Sequence, residues 1–241
     1  MDSMKMKRAA KELVHLFFPS VCMVCGRVLV SGQNCTSGLL EMNLCLSCLS
    51  AMPLRLSRER WFPCLSDPYS GDPIPDFMVW VLFRYEMPVS ELLRRMKFHS
   101  AKYCGQTLGI LMGRELSRAV TFRPDAVLPI PLSEQRRKKR GYNQAAVLGA
   151  GVSRYFETPL LENVLVRVRH TKQQSRFHDP VARAQNLEDA FDVSEEWDIR
   201  GWNIVLVDDI LTTGATLHEA AKVLMEKGAA SVIGAVCASH R

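Results

Sequence analysis

The last two thirds of the chain switch repeatedly between strand-length apolar runs and helical periodicity. Trp202–Val207 (WNIVLV) is a near-continuous apolar run, the signature of a strand buried on both faces of a parallel sheet. A polar turn over Asp208–Thr216 follows. Leu217, Ala220, Ala221, Leu224 and Met225 then share one helical face, which Gly228 ends. Ser231–Ala238 is again β-rich. Strand, turn, helix and strand make a βαβ unit, and such units build parallel sheets with helices on both faces. Upstream, the pattern predicts an extended segment over Phe77–Tyr85 and a helix through about Phe98. A second helix runs from about Tyr103 to Ala119, with Leu108, Leu111, Met112 and Leu116 on one face. A short strand over Ala126–Pro131, a helix over Asn143–Phe156 and an alternating strand over Leu161–Arg169 complete the prediction. The expected fold class is α/β.

Residues 53 to 76 break this pattern. Pro53, Pro63, Pro68, Pro73 and Pro75, with Ser70-Gly71 among them, read as a connection. The expected domains are therefore residues 1–75 and 76–241. The chain starts with a basic segment, Met1–Lys11, and an apolar stretch that stops at Pro19 without a small-residue cleavage site. This reads as an amphipathic helix and not a signal peptide. No apolar run approaches the roughly 18 residues of a membrane span. With 47% hydrophobic and 23% charged residues over 241 positions, disorder is also excluded. A cytoplasmic protein, not integral to the membrane, is expected.

Cysteine usage sharpens the division. Six of the eight cysteines lie before residue 65: Cys22, Cys25, Cys35, Cys45, Cys48 and Cys64. Cys22/Cys25 and Cys45/Cys48 are C-x-x-C pairs separated by nineteen residues, a spacing suited to a tetrahedral zinc site. Gly26 suits the sharp turn of such a knuckle. A filled shell of four thiolates leaves no open position, so this zinc is expected to be structural. Cys35 and Cys64 read as spare ligands or, more simply, bystanders, and Cys104 and Cys237 as core residues.

Charge is uneven. Lys and Arg outnumber Asp and Glu by 31 to 25, and residues 123–183 carry +7 while residues 184–241 carry −6. A basic middle is what nucleic acid would meet first. As a charge run alone it also reads as a solvated loop.

The chemistry concentrates where the strongest strand is expected to end, at Val207. Ligands of open α/β sheets collect at the carboxyl ends of strands. Asp208 and Asp209 come next, and Thr212-Thr213-Gly214-Ala215-Thr216 leads into a helix N-terminus. A turn of small residues lets backbone N–H groups approach an anion, threonine hydroxyls add donors, and the helix dipole favours negative charge. Two carboxylates beside a phosphate cradle make sense if they accept from sugar hydroxyls or share a divalent cation. A lone Thr-Gly would read as a helix cap. The whole string points to a phosphorylated sugar.

Val205–Thr216 resembles the phosphoribosyl-pyrophosphate (PRPP) motif of type I phosphoribosyltransferases. With the C-x-x-C pairs, Arg140–Gln144 (RGYNQ), Gln174, Arg183 and Asn186, the chain resembles the ComF (competence protein F, ComFC/GntX-like) family over nearly its whole length. The resemblance implies a type I phosphoribosyltransferase-like parallel sheet flanked by helices, with a small N-terminal four-cysteine zinc module. It implies that Asp208 and Asp209 hold the ribose 2′ and 3′ hydroxyls and that Thr212, Thr213, Gly214, Ala215 and Thr216 cradle the 5′-phosphate. Pro129 and Ile130 would end the strand leading to the pyrophosphate side. Arg136, Arg137, Lys138, Lys139, Arg140 and Gly141 would form a mobile loop closing over the pyrophosphate. Magnesium would accompany PRPP, with Asp208 and Asp209 as candidate ligands.

Two departures matter. Many ComF-like chains have further cysteines near Cys64, which stands alone here, so one zinc site is expected. Transferases acting on 6-oxopurines carry an Asp where this chain has Thr212, and Thr212 cannot serve as a base at neutral pH. The catalytic residue is left unassigned, since His99, His170 and His178 read as surface or packed histidines. Two functions follow from the resemblance. One is a PRPP-binding protein of natural transformation that handles incoming single-stranded DNA with uptake machinery at the cytoplasmic face of the membrane. Tyr142, beside the basic run, would offer a stacking ring. The other is a metabolic phosphoribosyltransferase that moves the phosphoribosyl group to an unknown acceptor and releases pyrophosphate from PRPP.

Overall fold

The apolar runs assemble into a five-stranded sheet in the computed structural model, which describes residues 19–30, 32–36, 38, 42–63, 77–168 and 190–241. Its strands are β1 (Trp61–Pro63), β2 (Met78–Arg84), β3 (Ala126–Pro129), β6 (Asn203–Leu211) and β7 (Ser231–Ser239), in the order β1-β2-β7-β6-β3. β2, β7, β6 and β3 are parallel, and β1 adds an antiparallel edge. Two short strands, β4 (Leu165–Arg167) and β5 (Phe191–Val193), pair separately and antiparallel. The predicted βαβ unit is present: β6 pairs β7 in parallel from Asn203↔Ser231 to Leu211↔Ser239, across the helix Ala215–Glu226.

Alternation along the strands sorts the core. Val79, Val81, Ala126, Leu128, Ile204, Leu206, Val232 and Val236 face one layer, where Leu217, Ala220, Ala221 and Leu224 of the Ala215–Glu226 helix cover them with Leu165, Phe191 and Val193. On the other side lie helices α2 (Val89–Phe98), α3 (Lys102–Ala119) and α5 (Gln144–Phe156), following the five-residue α1 (Leu46–Ser50) and preceding α6 (Ala215–Glu226); α4 is Glu134–Arg140. α3 and α5 approach backbone to backbone. A Cβ on Gly151 would stand 2.1 Å from the Gly109 carbonyl carbon, and one on Gly109 would stand 2.4 Å from the Leu148 oxygen. Only glycine permits that approach. Gly149, on the same helix, faces Val127 of β3 and Val207 of β6, so the pair of helices seats α5 on the sheet.

Several expectations need correction. The compact units are Met1–Met52 and Pro53–Arg241, upstream of the boundary placed at residue 76. The reason is pairing: Leu54 bridges Phe83, and Trp61 and Phe62 pair with Trp80 and Val79, so much of the expected connection belongs to the second unit's sheet. β6 does not stop at Val207 but runs to Leu211, held by β7 alone after β3 ends. β3 ends at Pro129, two residues before the expected Pro131, and only Leu165–Arg167 of the Leu161–Arg169 segment is strand. Arg136–Arg140, expected on a mobile loop, lies in helix α4, which Ser133 caps and Gly141 ends at φ 76°. The N-terminal helix, Cys64, Arg169, His170, Gln174, His178, Arg183 and Asn186 lie outside the described residues.

Candidate functional site

The two C-x-x-C pairs converge within the first unit. The Cys22, Cys25, Cys45 and Cys48 sulfurs all lie within 4.8 Å of one another, and Cys25 Sγ is 3.9 Å from Cys45 Sγ. Sulfurs around a tetrahedral zinc are spaced about 3.8 Å apart, so the donor set fits that ion. Gly26 adopts φ 73° and its N–H donates to the Cys22 carbonyl at 2.8 Å, closing the first knuckle. The second opens α1, where the Leu49 N–H donates to the Cys45 carbonyl at 3.0 Å. A 2.8 Å bond from Met23 N–H to Asn43 O ties the knuckles together. Burial opposes ionisation of Cys22, yet backbone donors at Cys25, Cys45 and Val24 outweigh it and draw the thiol down to about 7. Cys48 is pushed up by burial and by sharing protons with the other thiols. Cys35, buried, donates to the Thr36 and Leu44 carbonyls and stands outside the cluster. Cys104 and Cys237 are core residues, as expected.

In the second unit the site forms where β3 leaves the sheet. The Ile130 N–H donates to Val207 O at 2.9 Å, and past that bond β6 continues with one edge open. Asp208, Asp209 and Ile210 on that edge line a cavity of about 450 Å³. Ile130, Thr212, Thr216, Arg136, Lys139 and Arg140 also line it, so the structure brings most of the expected PRPP-site residues together. Pro129, Arg137, Lys138, Gly141, Thr213, Gly214 and Ala215 are not among its lining residues. Thr213, Gly214 and Ala215 shape the turn that leads into α6. Gly214, at φ 88°, turns the chain into α6, and the Ala215 N–H donates to Thr213 Oγ1 at 3.4 Å.

The RGYNQ segment fixes the opposite wall. Arg140 donates to Gln144 Oε1 at 2.8 Å, and Asn143 Nδ2 donates to Ile130 O at 3.0 Å while its Oδ1 caps α5. Tyr142 is committed differently from expectation. Its hydroxyl donates to the Met96 carbonyl, and the Lys102 ammonium lies 4.8 Å from its ring centre, so that ring is not an open stacking platform.

Sequence reasoning missed two basic residues of the cavity. Lys97, near the end of α2, sets its Nζ 2.9 Å from Asp209 Oδ2. Arg167, on β4, donates to Pro131 O at 3.0 Å and lies 4.6 Å over the Phe191 ring. Both are far from the motif in the chain, and no local signal marks them. The cavity thus holds Lys97, Arg136, Lys139, Arg140 and Arg167 against Asp208 and Asp209. Burial, with Arg136 nearby, lowers the affinity of Arg140 and Arg167 for their protons, while the carboxylates oppose this. Burial also pushes Asp208 up to about 7, reinforced by Asp209; the Asp209 N–H, Lys97 and Arg136 act against it. The Asp209 N–H donates to Asp208 Oδ1 at 2.8 Å. Crowded cations beside acids suit a ligand that is itself an anion with hydroxyls or a metal.

Residues 142–241 match the phosphoribosyl transferase domain family. Strands β6 and β7, the helix between them and the Asp208–Thr216 turn therefore lie in a region of the phosphoribosyltransferase-domain type. Competence protein F of Haemophilus influenzae is 37% identical across 65% of this chain and 70% of its own length. The DNA utilization protein YhgH of Escherichia coli K12 is 30% identical across 88% of this chain and 87% of its own. The chain belongs to the ComF (competence protein F) family. Among solved structures, adenine phosphoribosyltransferase from Leishmania donovani overlays 69% of this chain and 84% of that one at 12% identity, with a TM-score of 0.40.

Proposed function

We propose that this protein binds PRPP with magnesium in the 450 Å³ cavity and acts in DNA uptake. The observation that carries the reading is the gathering of Asp208, Asp209, Thr212 and Thr216 in one cavity with five basic side chains. Thr212, Thr216 and the N-terminal turn of α6 receive the 5′-phosphate, where backbone N–H groups and the helix dipole favour an anion. Asp208 and Asp209 accept from the ribose hydroxyls. Arg136, Lys139 and Arg140 face the pyrophosphate and stabilise charge that would develop on its departure. Carboxylate oxygens are the hard donors magnesium takes, so Asp208 and Asp209 fit as its ligands. The metal, when bound, neutralises pyrophosphate oxygens. Any turnover would draw on stabilisation of the leaving pyrophosphate by Arg136, Lys139 and Arg140.

Thermal melting with Mg²⁺ and PRPP tests the binding. A stabilising shift that the Asp208→Ala, Asp209→Ala double variant loses supports it; no shift at millimolar ligand rejects it. Pyrophosphate release on adding candidate bases or amines separates a metabolic transferase from a binding protein.

Single-stranded DNA is the second ligand of this reading, and zinc in the four-cysteine module the structural metal. Support for DNA comes from the exposed cations of α4, Arg137, Lys138 and Lys139, and from exposed rings at Phe98 and Tyr103. No described helix is long and apolar enough to cross a membrane. A cytoplasmic protein working beside membrane-bound uptake machinery is consistent with that. Affinity for an oligonucleotide should fall steeply with salt, and an affinity that ignores salt would count against phosphate tracking.

A further inference from the structure

The ion pair between Lys97 and Asp209 is the least expected feature of the cavity. It joins the penultimate residue of α2 to the carboxyl-terminal stretch of β6, elements more than a hundred residues apart in the chain. Both side chains are well enclosed, at 16% and 15% exposure, and Nζ lies 2.9 Å from Oδ2. Enclosure leaves little water to screen the two charges from each other. Lys97 therefore already occupies the carboxylate that the PRPP reading gives to ribose and metal. A divalent ion bound to the same oxygen at the usual distance would lie within about 5 Å of the ammonium, and the two cations would repel.

We infer that Lys97 is a positioning residue that bars a bare divalent cation from the Asp208/Asp209 pair and admits it only together with a polyphosphate. This rests on the PRPP reading of the cavity and adds a rule for what enters it. A polyphosphate brings its own oxygens, which give the ammonium a replacement partner inside the same cavity. Lys97 then moves from Asp209 to a phosphate oxygen, and Asp209 is released to the sugar or the metal. No covalent bond changes. Metal and polyanion binding are thereby coupled through one side chain, and the coupling is reciprocal. The device selects the metal-bound polyphosphate over free magnesium, which is abundant in any cell, and over sugar phosphates too short to reach Lys97.

The test is a titration of the zinc-loaded full chain with Mn²⁺ alone, following the free-ion EPR signal, so PRPP is not needed for the outcome. Wild type should bind Mn²⁺ weakly. Lys97→Met should bind it at least about tenfold more tightly, Lys97→Arg should stay near wild type because the charge is kept, and Lys97→Met with Asp209→Asn should lose the gain. Lys97→Gln repeats the measurement if the Met variant does not fold, as judged by its melting curve. Neutral variants that bind Mn²⁺ no more tightly than wild type overturn the inference. A gain that persists without Asp209 also overturns it, since the ion would then sit elsewhere. A wild-type protein that ignores PRPP in the melting assay removes the PRPP reading while leaving the Mn²⁺ comparison intact.

Discussion

The two units of this chain hold their sites together by opposite means. In the first, four thiols from two short knuckles meet within 4.8 Å, and among the described residues between them only a few apolar side chains, such as Leu29, Met42 and Leu44, are buried. In the second, the ligand-facing groups come from α2, the end of β3, α4, β4, β6 and the start of α6, and a large core puts them in register. A site built from local spacing depends on its ligand for its shape. A site built from distant elements depends on the packing beneath it. That difference sets what each unit should be sensitive to.

The largest effect is expected from metal removal. Structural zinc contributes about 10 kcal/mol or more to folding small domains, so chelation or Cys45→Ser should unfold the first unit outright. Zinc content should fall from about one per chain to none, and proteolysis should cut within the first unit while the strands and helices described for the second resist. Protection of both units after chelation would break the contrast.

Packing in the second unit comes next. Gly151→Ala drives a methyl group into the Gly109–Ile110 backbone, at 2.1 Å and 2.3 Å, where no rotamer can relieve it. A cost of about 3 kcal/mol is expected, read as a lower urea midpoint. The proposed PRPP binding should weaken, since α5 carries Gln144 and is capped by Asn143, while zinc content should not change. Zinc loss in this variant would mean that the units are less independent than their construction implies.

The smallest effect is a pH slope. Asp208 keeps its proton in the folded protein up to about 7, against the lower pH at which an unfolded chain releases it. The folded state thus binds the extra proton, so this contribution is full below the ordinary carboxylate range and is lost as pH rises through about 7. Without ligand, the melting temperature should decline from pH 5.5 to pH 8, and Asp208→Asn should flatten that decline. An unchanged slope in the variant would assign the titration to another group.

Much of this molecule could be read from residue order. Apolar periodicity located β2, β3, β6, β7 and the long helices, because buried strands and amphipathic helices imprint their period on the chain directly. The four thiols and the Asp208–Thr216 string were also visible, since each is a contiguous or near-contiguous motif. Tertiary structure decided the rest. β6 runs past Val207 because β7 offers a partner there, and pairing partners are not written in a strand's own sequence. The basic run is a helix because Ser133 and Gly141 cap it, although its charge pattern alone reads as a solvated loop. Lys97 and Arg167 join the cavity only through the stacking of α2 and β4 around the sheet. A charged side chain carries no mark of the distant carboxylate it will meet, because that meeting is fixed by packing and not by neighbours in the chain.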